Sequence, residues 1–534
     1  MKSVANESVA KPVVAASREP VGRWEWIAVA AVLIVAGWLR LSHLDLVEFK
    51  ADEAVAAHLA LQFVRGGELP SAGLMSSVGV TNPPLFIYLL IPMFWVTTNV
   101  VAVSAMIAVL GVAAVGATWW FTRRYVGRWA ALVAATMFAT GPWPVIYSRK
   151  IWAQDFMPLC ATGLVWALFA LVCGGNRRAV FWVVLLPLAM VQIHFSGLAV
   201  VVAVLVILGV LRPRMDWRWA VAGGAVAVVL LVPYLRMQMQ NDWEDFRRAR
   251  AQIGGQKWNI PRGMTIQPDS GYPLPRRPSE APVHAWSVVN SGQIEDVIGL
   301  DKPKWEHRAG LWEMMQAVQR WLAFGCLVWL AIEVGRHQLT ARRAIVLLGL
   351  LVVPVAVFMA ASLWTYLSYY AILWPVWFLV VGEAVESARA SRWPWLQRGL
   401  PAAALGLCAL SVVYMVDLYR FIEERGGAHG TYGTGVGYKM EAARWLAGAT
   451  NLWEQQRLLQ MDRLGRVELA QIDLPFLIWL ETERRGSSTN LPAANEVVLV
   501  YDSNRANYRP EQVSQLTTVR SQSFGPMRLF FVPR

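Results

Sequence analysis

The chain has 534 residues, of which 56% are hydrophobic and only 16% are charged. This composition excludes an ordinary soluble protein of that size, because such a protein needs far more polar surface. The formal net charge of +13 does not indicate a nucleic-acid partner, since the basic residues fall in short clusters between apolar runs. The sequence therefore predicts a polytopic α-helical membrane protein.

Residues 1–23 are polar and predict a disordered cytoplasmic tail. The apolar run that follows has no small-residue cleavage site, so we expect a signal anchor that is retained. Eleven apolar segments are each near the length that crosses a hydrocarbon core of about 30 Å. They span 26–41, 100–121, 129–147, 156–173, 180–193, 198–211, 219–235, 322–334, 344–363, 369–385 and 401–416.

Eleven crossings place five short basic loops on the same side of the membrane. Loops of this kind are typical of the cytoplasmic side, so the N-terminus is predicted inside and the C-terminus outside. The alternation requires that the run 83–96, which opens with two prolines, lies in the outer interface or dips into it without crossing. The predicted cytoplasmic loops carry Arg124, Arg177, Arg214, Arg342 and Arg392.

This topology divides the chain into a membrane domain, 24–416, and an outer domain, 417–534. The membrane domain has two large outer loops, 42–99 and 236–308. The outer domain offers the helix-like stretches MEAARWL and LPFLIWLE, followed by the strand-like stretches EVVLVYD and MRLFFVP. These patterns predict a small α/β domain on the outer side.

The first outer loop contains the stretch FKADEAVAAHLAL, in which Asp52 and Glu53 form an acidic pair. Carboxylates in a first helical turn complement the helix dipole, so the pair could simply begin a helix. It could also carry chemistry at a membrane surface. Helical spacing places Asp52 in line with Val55 and Leu59, at the edge of a face packed against the membrane domain, and leaves His58 on a solvated side.

The stretches DEAVAAHLA and NPPLFIYLL, followed by VLGVAAVGATWWFTRRYVGRWAALVAATMFATGPWPVIYSRKIWAQD, resemble the GT-C glycosyltransferases. The likeness is to the branch of protein O-mannosyltransferases (dolichyl-phosphate-mannose-protein mannosyltransferases) and aminoarabinose transferases. It covers the first two hundred residues and, more weakly, SYYAILWPVWFLV. Two positions depart from the family pattern: Gly141 precedes Pro142 where the family has serine, and Asn82 stands where a histidine or lysine is common.

The resemblance implies a GT-C-like fold and an inverting glycosyltransferase. Such an enzyme moves a sugar from a polyprenyl-phosphate donor to an acceptor hydroxyl on the outer face of a bacterial-type inner or plasma membrane. The acceptor would be a protein, a glycolipid or a cell-wall polymer. A departing phosphate needs cations, and an attacking hydroxyl needs a base. By resemblance Asp52 is the candidate base, and Glu53 orients it or the sugar.

The resemblance also implies residues that bind the donor. Arg149 and Lys150 are candidates for its phosphate, although cations there could equally reach lipid headgroups. Asp155 is a second acidic site that could bind a metal, the acceptor or Arg149, and an ion pair is the simplest expectation. No cofactor is required, but a divalent metal on Asp52 and Asp155 is left open. The remaining donor-site candidates are Asn82, His194, Tyr369 and Tyr370, for which structural or interfacial roles are the alternative.

Three other functions remain as alternatives. A lipid-linked sugar transporter or flippase usually shows internal repeats, and none is evident. An oligosaccharyltransferase-like, metal-dependent enzyme would recruit further carboxylates, for which Glu244 and Asp245 are available. A structural protein of the cell envelope would bind through its outer loops and tolerate replacement of Asp52.

Overall fold

A computed structural model describes residues 20–76, 79–253, 278–294, 309–335, 338–361, 365–428, 432–461, 467–504 and 519–534. Residues 1–19 of the expected N-terminal tail lie outside these ranges, as do residues 254–277 and 295–308 of the expected outer loop.

The membrane domain is built from helices whose sequences are apolar over most of their length. Seven spans in the described part of the chain are long and apolar enough to cross a membrane, so the chain is a multi-pass membrane protein. The number of eleven crossings stays a prediction. In chain order the helices up to Val289 are α1 (Arg23–Leu41), α2 (Ala51–Val64), α3 (Leu85–Val96), α4 (Val100–Tyr125), α5 (Arg128–Thr140), α6 (Pro142–Ile146), α7 (Met157–Val172), α8 (Val180–Ile193), α9 (Gly197–Leu211), α10 (Trp217–Gln240), α11 (Glu244–Ile253) and α12 (Glu280–Val289).

The remaining described helices are α13 (Ala309–Val334), α14 (Gln338–Ala361), α15 (Leu373–Arg389), α16 (Pro394–Arg425), α17 (Val436–Trp445) and α18 (Asp473–Arg485). Helix α16 continues through the expected domain boundary at 416. It ends where Gly426 adopts a φ of 64°, the left-handed conformation that favours glycine at helix ends.

One predicted crossing, 129–147, is broken into two helices. Helix α5 ends at Thr140, and Pro142, which has no backbone N–H, opens α6. The last carbonyls of α5 need partners, and the buried guanidinium of Arg40 supplies two bonds of 2.8 Å, to Phe138 O and Ala139 O. The break turns the chain toward the basic stretch that follows α6.

The proline-initiated run forms the short helix α3. Its 12 residues are fewer than the roughly 20 that span a bilayer. Phe86, Ile87 and Leu90 are buried, whereas Trp95 and Val96 at its end are exposed. The helix packs against α2, and its depth in the outer leaflet stays a prediction.

The C-terminal part carries the predicted α/β module. The strands are β1 (Gly427–Ala428) and β2 (Gly433–Thr434), which form a separate hairpin, then β3 (Leu458–Met461), β4 (Val467–Leu469), β5 (Glu496–Asp502), β6 (Ser521–Phe524) and β7 (Met527–Pro533). Strands β3 to β7 form a five-stranded sheet of order β4-β3-β5-β7-β6, in which only the pairing of β3 with β5 is parallel. The four motifs expected there are confirmed as α17, α18, β5 and β7.

Candidate active site

The acidic pair lies in the first turn of α2. Lys50 precedes the helix in an extended conformation, and its backbone N–H donates to Glu53 Oε2 at 3.0 Å. A glutamate at the third helical position that reaches back in this way satisfies one of the free N–H groups at a helix start. Glu53 thus has the helix-start role that was one of the two expectations for the pair. The Asp52 carboxylate is not needed for that role.

The two carboxylates differ in burial. Glu53 is 2% exposed, whereas Asp52 is half-buried. Asp52, Val55 and Leu59 are half-buried, which agrees with the predicted position of Asp52 at the edge of a packed face, and Ala56 beside them is buried. Alanine side chains let neighbouring elements approach closely, so the buried face is the one that carries Glu53, Ala54, Ala57, Ala60 and Leu61.

A lysine from the stretch after α6 joins the acidic pair. Lys150 Nζ lies 2.7 Å from Glu48 Oε2 and 3.8 Å from Glu53 Oε1. It also lies 3.8 Å from the centre of the Trp152 ring, within the range of a cation–π contact. Lys50 Nζ binds the other carboxylate oxygen of Glu48. Glu48 therefore bridges two ammonium groups beside the pair.

Burial and these charges set different protonation behaviour for the three carboxyls. Burial opposes the ionisation of Glu48, but Lys150 and Lys50 lower its pKa to about 2. Burial raises the pKa of Glu53 to about 7, against the opposing effect of Lys150. Burial also raises the pKa of Asp52, although Lys50 and Lys150 oppose it. Glu48 is thus the permanent counter-charge, while Asp52 and Glu53 have raised proton affinity.

The pKa of Lys150 is raised. Burial alone would lower it, but Glu48 and Glu53 outweigh that effect. Lys150 is therefore a fixed positive charge between carboxylates whose own protonation can change.

Arg149 and Asp155 do not contact the acidic pair through the bonds described for Lys150, and each has partners of its own. Arg149 donates through Nη2 to Ser42 O, and its guanidinium carbon lies 4.6 Å from the centre of the Tyr419 ring. Asp155 Oδ2 accepts from the backbone N–H of Lys150 at 3.1 Å. The Asp155 carboxylate therefore closes the turn that carries Arg149 and Lys150 by a bond to the backbone, instead of forming the expected ion pair with Arg149. Two atoms, Arg149 Nε and Asp155 Oδ1, are buried without a hydrogen-bond partner.

Three of the predicted donor-site residues meet in a second cluster. Asn82 accepts from the backbone N–H of Phe195 at 3.2 Å. His194 Nδ1 lies 2.9 Å from Ser196 Oγ, and its ring centre is 4.8 Å from that of Tyr369. Burial lowers the pKa of His194 to about 4, so its imidazole is neutral near pH 7. The cluster joins the loop before α3 to the turn between α8 and α9.

Tyr370 belongs to neither cluster. It is fully buried, and its hydroxyl donates to Thr365 Oγ1 at 3.3 Å. Its ring packs against Phe358 and His284. The expected choices for this residue, interfacial anchoring or sugar stacking, both need an accessible ring, and its burial instead gives it a packing role.

The further carboxylates expected for a metal site are engaged elsewhere. Asp245 accepts from Thr81 Oγ1 at 3.3 Å and from the Gln238 amide, and Glu244 pairs with Arg248. Within the described ranges, no three His, Cys, Asp or Glu side chains are grouped so that they could hold a metal ion. A metal on Asp52 and Asp155 stays a prediction.

Sequence reasoning missed several members of the site. Glu48 and Lys50 come directly before the acidic pair in the sequence, and that alternation of charge was the available signal. His58 is half-buried rather than fully solvated as expected, because its ring packs edge-on against Trp479 of α18 with centres 5.3 Å apart. The contact of α2 with the C-terminal domain has no local signal, since α18 lies more than four hundred residues further along the chain.

No family model and no curated protein sequence matches this chain. Its helical membrane domain, small C-terminal sheet and the charged segment ahead of α3 define a protein with the GT-C fold of membrane glycosyltransferases. The solved structure that carries this conclusion is that of ArnT from Cupriavidus metallidurans bound to undecaprenyl phosphate. The two share 12% identity and a TM-score of 0.50, over 95% of this chain and 98% of ArnT.

Two further solved structures are similar. ArnT from C. metallidurans in the apo state has a TM-score of 0.50 at 12% identity, over 95% of this chain and 97% of its own. The archaeal oligosaccharyltransferase AglB from Archaeoglobus fulgidus, in complex with an inhibitory peptide and a dolichol-phosphate, has a TM-score of 0.43 at 11% identity. The similarity extends over 96% of this chain and 74% of the AglB chain. The fold assignment rests on the ArnT structures.

Proposed function

We propose that this protein is a membrane glycosyltransferase that moves a hexosyl or pentosyl unit from a polyprenyl-phosphate donor to an acceptor hydroxyl. The reaction would take place at the outer face of a bacterial-type inner membrane, where the topology predicts Asp52. One observation carries the proposal: half-buried Asp52 stands beside Lys50 and Lys150, with buried Glu53 as its neighbour. The ArnT structure with the same fold is bound to undecaprenyl phosphate, which supports a lipid phosphate as the donor.

The proposed reaction exchanges one bond at the anomeric carbon. The acceptor oxygen bonds to that carbon as the bond to the phosphate oxygen breaks, and the electron pair leaves with the polyprenyl phosphate. The hydroxyl proton passes to the Asp52 carboxylate. Attack from the face opposite the phosphate inverts the anomeric centre.

The environment of Asp52 suits this role. Burial raises its pKa, so its carboxylate accepts a proton more readily than that of an exposed aspartate, and Lys50 and Lys150 oppose this shift. The same two ammonium groups supply positive charge for a departing phosphate, whose second pKa is near 6. Arg149, next to Lys150 in the chain, adds a third cation.

The proposal is tested by replacing Asp52 with asparagine, which keeps the shape but cannot accept the proton. Cells that lack the protein are complemented with the wild type or the variant, and envelope fractions are compared by mass spectrometry. We expect one sugar to be missing without the protein, and its mass distinguishes a hexose from a pentose. Turnover of Asp52→Asn should fall roughly 10²- to 10⁴-fold, the contribution of a positioned base.

The matched control is Asp45→Asn, because Asp45 is an exposed carboxylate in the same loop. It should transfer sugar like the wild type. Near-normal transfer by a folded Asp52→Asn protein would refute the catalytic role and favour a transporter or a structural protein. Complete loss of transfer on chelation of divalent metals would favour the metal-dependent oligosaccharyltransferase-like alternative.

A further inference from the structure

The backbone of residues 46–49, ahead of α2, accepts three hydrogen bonds from one short stretch of the C-terminal domain, residues 432–439. Each bond goes to the backbone of the segment that leads into the acidic pair. In chain order the contacts are Tyr432 Oη to Leu46 O (2.7 Å), Val436 N to Val47 O (2.9 Å), a backbone bridge between Glu48 and Gly435, and Lys439 Nζ to Phe49 O (2.5 Å).

The last of these contacts uses a buried charge. Lys439 is 3% exposed, and its ammonium also donates to Asp473 Oδ2 at 2.6 Å in the first turn of α18. A buried ammonium is costly unless it is paired and hydrogen-bonded. Asp473 balances the charge of Lys439, so a further N–H of the ammonium can be directed to a backbone carbonyl of the neighbouring segment.

The carbonyl of Phe49 and the N–H of Lys50 belong to one peptide group. That N–H donates to Glu53 Oε2 at 3.0 Å, so the group is held at both ends, by an ammonium on its oxygen and a carboxylate on its N–H. A positive charge on the oxygen polarises the peptide and makes its N–H a stronger donor. The Lys439 ammonium therefore acts on Glu53 through a single peptide.

We infer that Lys439 is a positioning residue of the proposed transferase: through the peptide between Phe49 and Lys50, it fixes the first turn of α2 and favours the ionised form of Glu53. This inference rests on the proposed function. The other charged groups that face Glu53 are Lys150, Glu48, Lys50, Asp52 and Asp155.

The test uses a double variant, Lys439→Met with Asp473→Leu, which removes both charges and so leaves no unpaired ion behind. Sugar transfer should fall roughly 10- to 100-fold, the range for loss of one charge-assisted hydrogen bond. The acid limb of the kcat/KM profile should move to higher pH, because a weaker N–H bond raises the pKa of Glu53. Lys439→Arg, which keeps a cation with several donors, should restore most of the transfer and the position of the limb.

The control is Arg457→Met. Arg457 also donates to a backbone carbonyl of the C-terminal domain, Glu496 O at 2.7 Å, but does so between elements of that domain. We expect its variant to keep the wild-type pH profile. If the double variant loses thermal stability while the acid limb stays in place, Lys439 has only a structural role and the inference is overturned.

Amide hydrogen exchange provides a reading that does not depend on transfer. In the double variant the peptide covering residues 46–54 should exchange at least about 10-fold faster than in the wild type, since its first-turn bonds open more often. Unchanged protection would overturn the inference. If the wild type transfers no sugar, the proposed function fails, and exchange alone decides the role of Lys439. If the double variant does not fold, Lys439→Gln gives the same two readings.

Discussion

Replacing Glu48 with glutamine should destabilise the protein by about 3 kcal/mol. Glu48 bridges Lys50 and Lys150, and its side chain is only 14% exposed. Its pKa of about 2 lies well below the value of about 4.3 for a free glutamate. At about 1.36 kcal/mol for each pKa unit, the ionised form is stabilised by about 3 kcal/mol in the folded state.

The pH dependence of this effect has a definite sign. The folded-state pKa is depressed, so the stabilisation is fully present above about pH 4.3 and is lost as the pH falls toward 2. The difference in stability between wild type and Glu48→Gln should therefore shrink as the pH falls from about 4.3 toward 2. Activity should change too, because Glu48 raises the pKa of Glu53. Without Glu48, the acid limb of the rate profile should move to lower pH.

The measurement is the free energy of unfolding in mixed micelles, titrated with a denaturing detergent at several pH values. Glu423→Gln is the matched control, because the Glu423 side chain is 63% exposed and its carboxylate pairs with His43 at 3.7 Å. Exposed pairs contribute about 0–1 kcal/mol, so this control should change little. A Glu48→Gln protein as stable as the control at pH 7 would show that the lysine bridge does not support the site.

Three further predictions concern the loop, the basic stretch and the topology. Gly435→Ala should lower thermal stability and transfer together, because its Cβ would lie 2.8 Å from Leu46 Cα, and a thermal melt with a transfer assay checks this. Arg149→Ala should weaken binding of polyprenyl phosphate as well as the rate; unchanged binding would remove Arg149 from the donor site. Cysteine labelling should find position 52 outside and position 342 in the cytoplasm, and the reverse result would contradict the mechanism.

The C-terminal module was predictable because its patterns are local. EVVLVYD and MRLFFVP are dense in β-branched and aromatic residues, and they form β5 and β7, paired from Glu496 with Pro533 to Asp502 with Met527. The broken crossing before Tyr147 was harder to predict, because an apolar run does not reveal where a Gly-Pro step will end a helix. The last carbonyls of α5 accept hydrogen bonds from Arg40, which lies on a different helix, and the local sequence does not indicate this partner.

The acidic pair was also evident from sequence, but its partners were not. Lys150 meets Glu48 across 102 residues, and Lys439 meets Phe49 across 390. Helical periodicity placed Asp52 at the edge of a packed face, but it gave no sign that tertiary contacts would bury Glu53. Spacing along a helix predicts which residues share a face, but it does not predict which face a distant segment will cover.

The hydrogen bonds from the C-terminal domain to the segment before α2 can form only late in synthesis. A ribosome adds roughly 5–20 residues each second, so the 390 residues between Phe49 and Lys439 take roughly 20–80 s to make. During that interval α1 and α2 are already made while the bond from Lys439 is missing. A nascent chain would thus enter the membrane before the segment ahead of α2 has its hydrogen bond from Lys439. A copy that lost its last hundred residues would keep its membrane helices but would lack this bond and the activity that we propose depends on it.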